Sequence, residues 1–325
     1  MSGSPRSAKR PDRTMWPLDL GTIADELETG LIVFDSNVLL GCHWMPEEKR
    51  CADWLELLSE YRPRAWVPYQ VILEYRKNWK FARQRYEKQL LGAIEASRRV
   101  RREVERQTWR NSRLLNIDET TTYNVVQLDR HASRANEEMF RNASWDLMHG
   151  EDAREIDEAI KVKVEEFIED RIGFETPGWR LDRWAAESEC RRGLELPPSW
   201  ADHRKKIGER DGDYFIWKQI LEHVCAPEYP GQAVVFVTDD KKPTGWMGQH
   251  DDGMPTGAHP HLVREMRDKA GVEFVVIGPH HLRQYETERI ELAAGVDSGW
   301  VPESSDVPTP LPNFLFANVE SEYLN

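Results

Sequence analysis

The 325-residue chain has no long apolar run and very little cysteine. No uninterrupted apolar segment approaches the roughly 20 residues that are needed to cross a bilayer, so we expect no transmembrane helix. Residues 1–13 are polar and basic and lack the apolar stretch of a secretory signal, which predicts a cytoplasmic protein. The four cysteines show no CxxC spacing, so we expect reduced thiols rather than a disulfide framework or a thiolate zinc site.

Three enzyme classes lack their signatures in this chain. A Rossmann oxidoreductase would carry GxGxxG after its first strand, and that motif is absent. No nucleophile elbow or Cys/His frame supports covalent catalysis by serine or cysteine. A phosphatase of the haloacid-dehalogenase type needs a second aspartate two residues after its strand-end nucleophile. Asn37 occupies that place after Asp35, which disfavours this class.

Positive charge is in deficit overall but is concentrated locally. The formal net charge of −13 argues against a general nucleic-acid binder, because phosphate contacts are made by lysine and arginine. Residues 76–113 nevertheless contain 13 Lys and Arg against four Asp and Glu, whereas residues 118–170 contain 15 acids against six bases. Trp79, Tyr86 and Trp109 are interleaved with the basic residues. The basic segment is therefore either a solvated helix face with aromatic residues in the core, or a track for unpaired nucleic acid with aromatic residues stacked on bases.

The remaining pattern is that of a folded body of alternating strands and helices. Hydrophobic residues make up 39% of the chain, and its 13 tryptophans also favour one large core, which we expect to carry an insertion. The periodicity predicts a parallel α/β sheet and one long basic helix at about 78–113. The expected organisation is a flexible N-terminus at 1–13, an α/β domain at 14–295 with a helical insertion at about 78–204, and a Pro-rich C-terminal tail at 296–325.

Acidic side chains stand at the ends of two predicted strands, at the start of a later helix and within an early helix. These positions are Asp35, after the strand 31–34; Asp239 and Asp240, after the strand 233–237; Asp211 and Asp213; and Glu74. The carboxyl ends of strands and the amino ends of helices lie at one edge of a parallel sheet, so these acids can converge. Such a cluster repels itself unless it binds cations, and Mg²⁺ prefers carboxylate oxygens. A pair of such ions about 4 Å apart activates the attacking water and stabilises the leaving oxygen in phosphodiester cleavage.

Four short segments resemble the PIN-like metal-dependent nucleases, in particular the larger subgroup with a helical insertion that is often labelled PIN_8. They are 33–40 (VFDSNVLL), 68–75 (PYQVILEY), 212–213 (GD) with Trp217, and 236–242 (FVTDDKK) with Trp246. The segment 259–265 (HPHLVRE) is similar to the one that follows the last acidic motif of that subgroup. The resemblance implies a three-layer α/β/α fold with a central parallel sheet and a large α-helical insertion.

The resemblance also implies a role for each matched residue. The metal, Mg²⁺ or Mn²⁺, would be bound by the catalytic residues Asp35, Glu74, Asp213 and Asp240, with Asp211 or Asp239 as a neighbouring or substitute ligand. Asn37 and Thr238 would orient ligands or phosphate through hydrogen bonds. Lys241 and Lys242 would meet the substrate backbone as point charges. From the basic segment, Arg98 and Arg102 are further candidate substrate contacts.

The implied function is a Mg²⁺- or Mn²⁺-dependent nuclease, with an endoribonuclease favoured over a DNA-cleaving enzyme. Two alternatives stay open, namely a DNA-cleaving effector, for example in antiviral defence, and a non-catalytic PIN-like module that binds nucleic acid or protein. Because all four acidic positions are filled, activity is favoured over its loss. The long amphipathic insertion and the apolar-tipped tail would suit a homo-oligomer or a protein partner, and we expect no membrane partner.

Overall fold

A computed structural model describes most of the chain. The described residues are 23–44, 48–127, 153–202, 210–240, 245–249 and 255–293, together with 130, 131, 134, 137 and 138. The predicted flexible N-terminus and Pro-rich tail lie outside them, and so do Lys241 and Lys242. The predicted domain boundaries therefore stay a prediction.

Strands and helices alternate along the described chain. The helices are α1 (Ala24–Thr29), α2 (Ser36–Leu40), α3 (Glu48–Tyr61), α4 (Tyr69–Leu114), α5 (119–127, with 130, 131, 134, 137 and 138 also helical), α6 (Ala153–Ile168), α7 (Gly178–Gly193), α8 (Gly212–Val224), α9 (Pro260–Ala270) and α10 (Pro279–Ala293). The strands are β1 (Leu31–Phe34), β2 (Ala65–Trp66), β3 (Val234–Val237), β4 (Met247–Gln249), β5 (Pro255–Ala258) and β6 (Phe274–Ile277).

The core of the fold is a four-stranded parallel sheet in the order β2-β1-β3-β6. Every residue of β1, β3 and β6 is buried. Strands that are apolar on both faces need helices on both sides, because each face must be removed from water. The predicted three-layer α/β/α fold with a helical insertion is confirmed.

The parallel arrangement brings the carboxyl ends of the strands to one edge of the sheet. Phe34, the last residue of β1, lies opposite Val237, the last residue of β3. Val237 in turn lies opposite Ile277, the last residue of β6. Because these strands end at the same level, Asp35 and Thr238, which follow β1 and β3, emerge side by side.

The early helix that carries Glu74 and the basic helix predicted at about 78–113 are one helix in the structure. α4 runs for 46 residues from Tyr69, directly after Pro68. Proline disfavours helical backbone in the residue before it, so a helix begins readily after Pro68. Glu74 and the basic segment therefore belong to one continuous helix. Despite this length, none of the described helices is both long and apolar enough to cross a membrane.

One pair of strands had no signal in the sequence. β4 and β5 pair antiparallel, with Met247 opposite Ala258 and Gly248 opposite Thr256, where the sequence indicated only a Gly-, Pro- and His-rich loop. Strand prediction relies on regular alternation of apolar and polar residues, which such short, irregular strands do not provide. The pairing is also interrupted by a register shift between Met247 and Gly248.

The described chain divides into two compact units. The first comprises the described parts of Met1–Leu40, Trp54–Lys77 and Lys163–Gly299, and it contains the parallel sheet. The second comprises the described parts of Gly41–Asp53 and Asn78–Val162.

A buried polar junction stabilises the second unit from within. Arg83 Nη2 donates to Asp157 Oδ1 at 2.8 Å, and the fully buried His43 lies 3.3 Å from the same oxygen. Apolar side chains on three helices are buried in this unit, namely Leu90, Ile94, Val126 and Ile160.

The core of the sheet predicts a large effect of truncation at Phe236. This residue is fully buried in β3, and its ring centroid lies 4.3 Å from that of Trp246. Phe236→Ala leaves a cavity, so we expect the free energy of unfolding to fall by about 3–5 kcal/mol, as measured by urea denaturation with circular dichroism. The matched control is Phe174→Ala, because Phe174 is 99% exposed. It should change the free energy of unfolding by less than about 0.5 kcal/mol. Equal effects of the two substitutions would contradict this core.

Candidate functional site

Asp35 is a buried carboxylate at the carboxyl end of β1. It is 4% exposed, and its backbone N–H donates to Val237 O at 3.0 Å, which continues the pairing of β1 with β3. Its Oδ1 accepts from the backbone N–H of Ser36 at 2.6 Å. Its Oδ2 accepts from Asn37 Nδ2 at 2.8 Å and from Thr238 Oγ1 at 2.6 Å. Donors from two neighbouring strand ends therefore fix the orientation of this carboxylate.

Asn37 and Thr238 also hold the acidic segment that follows β3. Asn37 Nδ2 donates to Thr238 Oγ1 at 3.1 Å, and Asn37 Oδ1 accepts from the backbone N–H of Asp239 at 3.0 Å. Thr238 Oγ1 accepts from the backbone N–H of Asp240 at 3.0 Å. Hydrogen bonds through these two polar side chains thus connect Asp239 and Asp240 to the surroundings of Asp35.

Glu74 is joined to Asp35 through a serine. Glu74 Oε2 accepts a hydrogen bond from Ser36 Oγ at 3.0 Å, and the same hydroxyl lies 3.3 Å from Asp35 Oδ1. A hydroxyl has one proton, so Ser36 can donate it to only one of the two carboxylates at a time. The other oxygen of Glu74, Oε1, accepts from Gln70 Nε2 at 3.0 Å. Sequence reasoning did not select Ser36 or Gln70. The available signals were that Ser36 directly follows Asp35 and that Gln70 lies one helical turn before Glu74.

The amino end of α8 lies against Glu74. A Cβ atom at Gly212 would overlap with Glu74 Oε1, so a larger residue at this position would displace the Glu74 carboxylate from its present place. Asp213 follows in the first turn of α8, and its Oδ2 is shielded from solvent. Gln219, further along α8, accepts from the backbone N–H of Gln70 at 3.0 Å. These contacts fix the start of α4 against α8 and place Asp213 next to the residue that touches Glu74.

Asp211 has a different environment from Asp213. Its Oδ1 accepts from the buried Arg192 Nη1 at 2.7 Å, and Arg192 also binds Glu189 at 2.6 Å. Breaking such a buried pair leaves an uncompensated charge, which is strongly destabilising. This pairing gives Asp211 a structural task at the start of α8. It favours Asp213 as the ligand of the two, and both assignments stay predictions.

The pKa of Asp35 reflects the burial and the charges of the site. The pKa of Asp35 is raised from 3.8 to about 7, chiefly by burial and also by the negative charges of Glu74 and Asp240, although hydrogen bonds from Thr238 and Ser36 act in the opposite direction. Glu74 and Asp240 are therefore close enough to Asp35 to repel it. Near neutral pH, in the absence of a cation, Asp35 is protonated in a large fraction of molecules.

The chemistry of these donors fits a hard divalent cation. Carboxylate oxygens are preferred ligands of such ions, and a cation would offset the repulsion on Asp35. Within the described ranges, however, no group of three or more His, Cys, Asp or Glu side chains is assembled closely enough to hold a metal ion. The described site is therefore a set of electrostatically coupled carboxylates and lacks a complete coordination shell.

The other predicted substrate contacts do not belong to this cluster as described. Lys241 and Lys242 lie outside the described residues. Arg98 and Arg102 lie on α4 in the second unit. The structure thus brings together Asp35, Asn37, Glu74 and the backbone of 238–240, and it places Asp213 beside the contact between Glu74 and Gly212.

Four residues of the matched segments connect α8 to its neighbours in the first unit. Trp217 Nε1 donates to Glu265 Oε2 at 3.0 Å, which joins α8 to α9. The ring centroid of Trp246 lies 6.3 Å from that of Trp217 and 4.3 Å from that of Phe236. These contacts hold α8, and with it Asp213, against the sheet.

A parallel sheet with mutually repelling carboxylates at its carboxyl edge defines the class as an α/β protein with an acidic site. The PIN_8 family model, described as a PIN like domain, matches residues 31–262, which is more than two thirds of the chain. The chain belongs to the PIN-like domain family, as its segments predicted. PIN-like domains are generally nucleases, so the fold is of the nuclease type and suggests nucleic acid as a partner. No curated protein and no solved structure matches the chain.

The raised pKa of Asp35 predicts a pH-dependent stability of the metal-free protein. The unfolded state releases this proton near pH 3.8 and the folded state near pH 7, so the stabilising contribution is complete at low pH and is lost as the pH rises through 7. We expect the free energy of unfolding to fall by about 2–3 kcal/mol between about pH 5 and about pH 8 through this group alone. Urea denaturation in EDTA measures the change. Asp35→Asn, which does not titrate in this range, should lose correspondingly less, and parallel pH profiles would show that the pKa is not raised.

Proposed function

We propose that this protein is a metal-dependent endoribonuclease that hydrolyses phosphodiester bonds. The observation that carries the proposal is the buried carboxylate of Asp35, which is repelled by Glu74 and Asp240 at the carboxyl edge of a parallel sheet. An arrangement of this kind costs stability unless a cation or a proton is bound. Membership of the PIN-like family supports the nuclease class. The metal dependence and the choice of RNA are our inferences.

The residues proposed to hold Mg²⁺ or Mn²⁺ are Asp35, Glu74, Asp213 and Asp240, with Asp211 or Asp239 as a neighbouring ligand. A cation bound there lowers the pKa of a water molecule and polarises the phosphate. The chain itself keeps the carboxylates in place. Ser36 bridges Glu74 to Asp35, and Thr238 connects Asp35 to the backbone of Asp240.

The proposed substrate contacts lie beside the carboxylates in sequence. Lys241 and Lys242 directly follow Asp240 and would meet the nucleic-acid backbone as point charges. Asn37 and Thr238 have polar side chains at the same sheet edge and would also orient a phosphate. The resemblance implies a single-strand-selective ribonuclease or a structure-selective nuclease, and we choose RNA because it is the default substrate of PIN-like domains. The same acidic site would also cleave DNA, and the substrate comparison below separates the two.

Cleavage assays with three labelled substrates test the proposed reaction. Purified full-length protein is incubated with single-stranded RNA, single-stranded DNA and duplex DNA, in Mn²⁺ or in EDTA, and the products are resolved on denaturing gels. We expect cleavage of single-stranded RNA that EDTA abolishes. Asp35→Asn and Glu74→Gln should each lower the rate by on the order of 100-fold or more, because each removes a proposed ligand.

Exposed carboxylates elsewhere in the first unit provide matched controls for this assay. Asp268→Asn on α9 and Glu166→Gln on α6 make the same chemical changes on exposed helix surfaces and should leave the rate within about twofold. Full activity of both site variants would refute the assigned site. Cleavage of DNA but not of RNA would reject the substrate while keeping the enzyme class. No cleavage of any substrate would favour a non-catalytic PIN-like module.

Metal binding can be measured without cleavage, by thermal denaturation of the free protein. A ligand that binds only the folded state raises Tm, and saturation at about 100 times Kd stabilises by about 2.7 kcal/mol. Adding Mn²⁺ at about pH 8 should therefore raise the Tm of the wild type by on the order of 5 °C. Asp35→Asn should show a much smaller rise, and Asp268→Asn should match the wild type. A rise of the same size in all three proteins would show that the ion binds elsewhere.

A further inference from the structure

α4 and α5 form an antiparallel helical hairpin within the second unit. Arg98 on α4 binds Glu137 at 2.9 Å, and Glu105, further along α4, binds Arg130 at 2.8 Å. A later position on α4 thus meets an earlier position on α5, so the two helices run antiparallel. The sequence showed a basic block followed by an acidic block, and the structure shows that the two blocks pair side by side.

A cleft of about 220 Å³ lies between these helices. It is lined by Arg101, Arg102, Glu105, Arg130 and Arg134. Four guanidinium groups therefore surround one carboxylate. This part of the hairpin therefore has an excess of positive charge.

The carboxylates at the cleft are already engaged by arginines. Both oxygens of Glu105 accept from Arg130, at 2.8 and 3.0 Å. Glu137 is shared by Arg98 and Arg101, at 2.9 and 3.1 Å. The hydrogen bonds from arginine lower the pKa of Glu105 and of Glu137. Both carboxylates are therefore ionised at neutral pH and bound to arginines.

Two arginines of the cleft are available to a ligand. Arg102 and Arg134 are exposed, and neither forms an ion pair with any residue in the part of the chain that the structure describes. Guanidinium offers a planar fork of donors that matches the oxygens of a phosphate. The positive charges also repel one another, and a bound anion would offset this repulsion.

The aromatic residues of the basic helix indicate how a ligand is recognised. Trp79 is 6% exposed, and Tyr86 stacks on Trp44 with ring centroids 5.6 Å apart. The sequence left open whether these rings stack on bases or pack, and the structure shows them packed. Recognition at this hairpin therefore depends on charge and hydrogen bonding and not on base stacking by these two rings.

We propose that this cleft binds phosphate groups of a single-stranded nucleic acid, with Arg102 and Arg134 as the phosphate contacts. Arg98 is paired with Glu137 and, at 2.6 Å, with Glu95, and its role as a substrate contact stays a prediction. The choice of nucleic acid as the source of the phosphate rests on the proposed function. The preference of the cleft for phosphate does not depend on the proposed function, because it follows from the arginines that line the cleft.

Binding of a labelled RNA to the full-length protein in EDTA tests the cleft. The probe is a fluorescein-labelled single-stranded oligouridylate, and its fluorescence anisotropy gives Kd at several salt concentrations. The double variant Arg102→Ala/Arg134→Ala should raise Kd by on the order of 10- to 100-fold, because two charge-assisted contacts are lost. The slope of log Kd against log salt should flatten by about 1.4, since each phosphate contact on a single strand contributes about 0.7.

The matched control is Arg110→Ala/Arg113→Ala, which removes the same charge from exposed positions on the same helix outside the cleft. It should change Kd by less than about threefold if contact and not net charge governs binding. Equal losses in the two double variants, or wild-type affinity in the cleft variant, would overturn the proposal. Circular dichroism melts of both variants identify any loss that is due to unfolding, and single substitutions then replace the double variant.

Competition distinguishes the source of the phosphate. Unlabelled RNA should displace the probe at concentrations near its own Kd, whereas tripolyphosphate should require a large excess, because only a strand adds contacts beyond the cleft. If RNA and tripolyphosphate displaced the probe at equal concentrations, we would conclude that the cleft binds a small phosphorylated ligand and not a nucleic acid. Since binding is measured without metal, failure of the cleft variant to lose affinity rejects only this inference. Binding without cleavage in Mn²⁺ rejects only the proposed reaction.

Discussion

The burial of a carboxylate at the carboxyl end of β1 is the constraint on which the rest of the site depends. Removing Asp35 from water is costly unless hydrogen bonds or a cation replace the lost solvation. The replacing donors come from Ser36 and Asn37 after β1 and from Thr238 after β3. They meet only because these parallel strands end at the same level. The hydrogen bonds that replace the solvation of Asp35 therefore depend on the register between β1 and β3.

The hydrogen bonds do not fully offset the cost of this carboxylate. The pKa of Asp35 stays raised at about 7, because burial and the charges of Glu74 and Asp240 outweigh the donors. The Glu74 carboxylate adds to this cost, and it lies so close to Gly212 that a Cβ atom there would overlap with it. Perturbed, mutually repelling groups of this kind cluster at functional sites, which supports the proposed metal and substrate site.

The sequence predicted the strand ends well and the side-chain contacts poorly. Asp35 and Asp240 could be selected because a continuous apolar run predicts a buried parallel strand, and the edge beyond it is where ligands bind. Glu74 could not be distinguished by periodicity from the many glutamates on helix surfaces, and the resemblance is what implied its role as a metal ligand. Ser36 and Gly212 were missed as partners of Glu74 because their roles depend on distances between elements. The β4–β5 hairpin was missed because its strands are too short and irregular for a period to be seen.

The two charge blocks of the helical insertion are a second case in which the sequence does not predict the side-chain contacts. The sequence shows that the blocks have opposite charge, but not which of their residues form ion pairs. In the structure, Glu137 is shared by two arginines and Glu105 is held by one, and neither Arg102 nor Arg134 is among these arginines. Exposed ion pairs add little stability, so a perfectly matched hairpin would be only slightly more stable than this one. The positions of Arg102 and Arg134 therefore cost the fold little, and they place two donor groups at the edge of a cleft where an anion has room to bind.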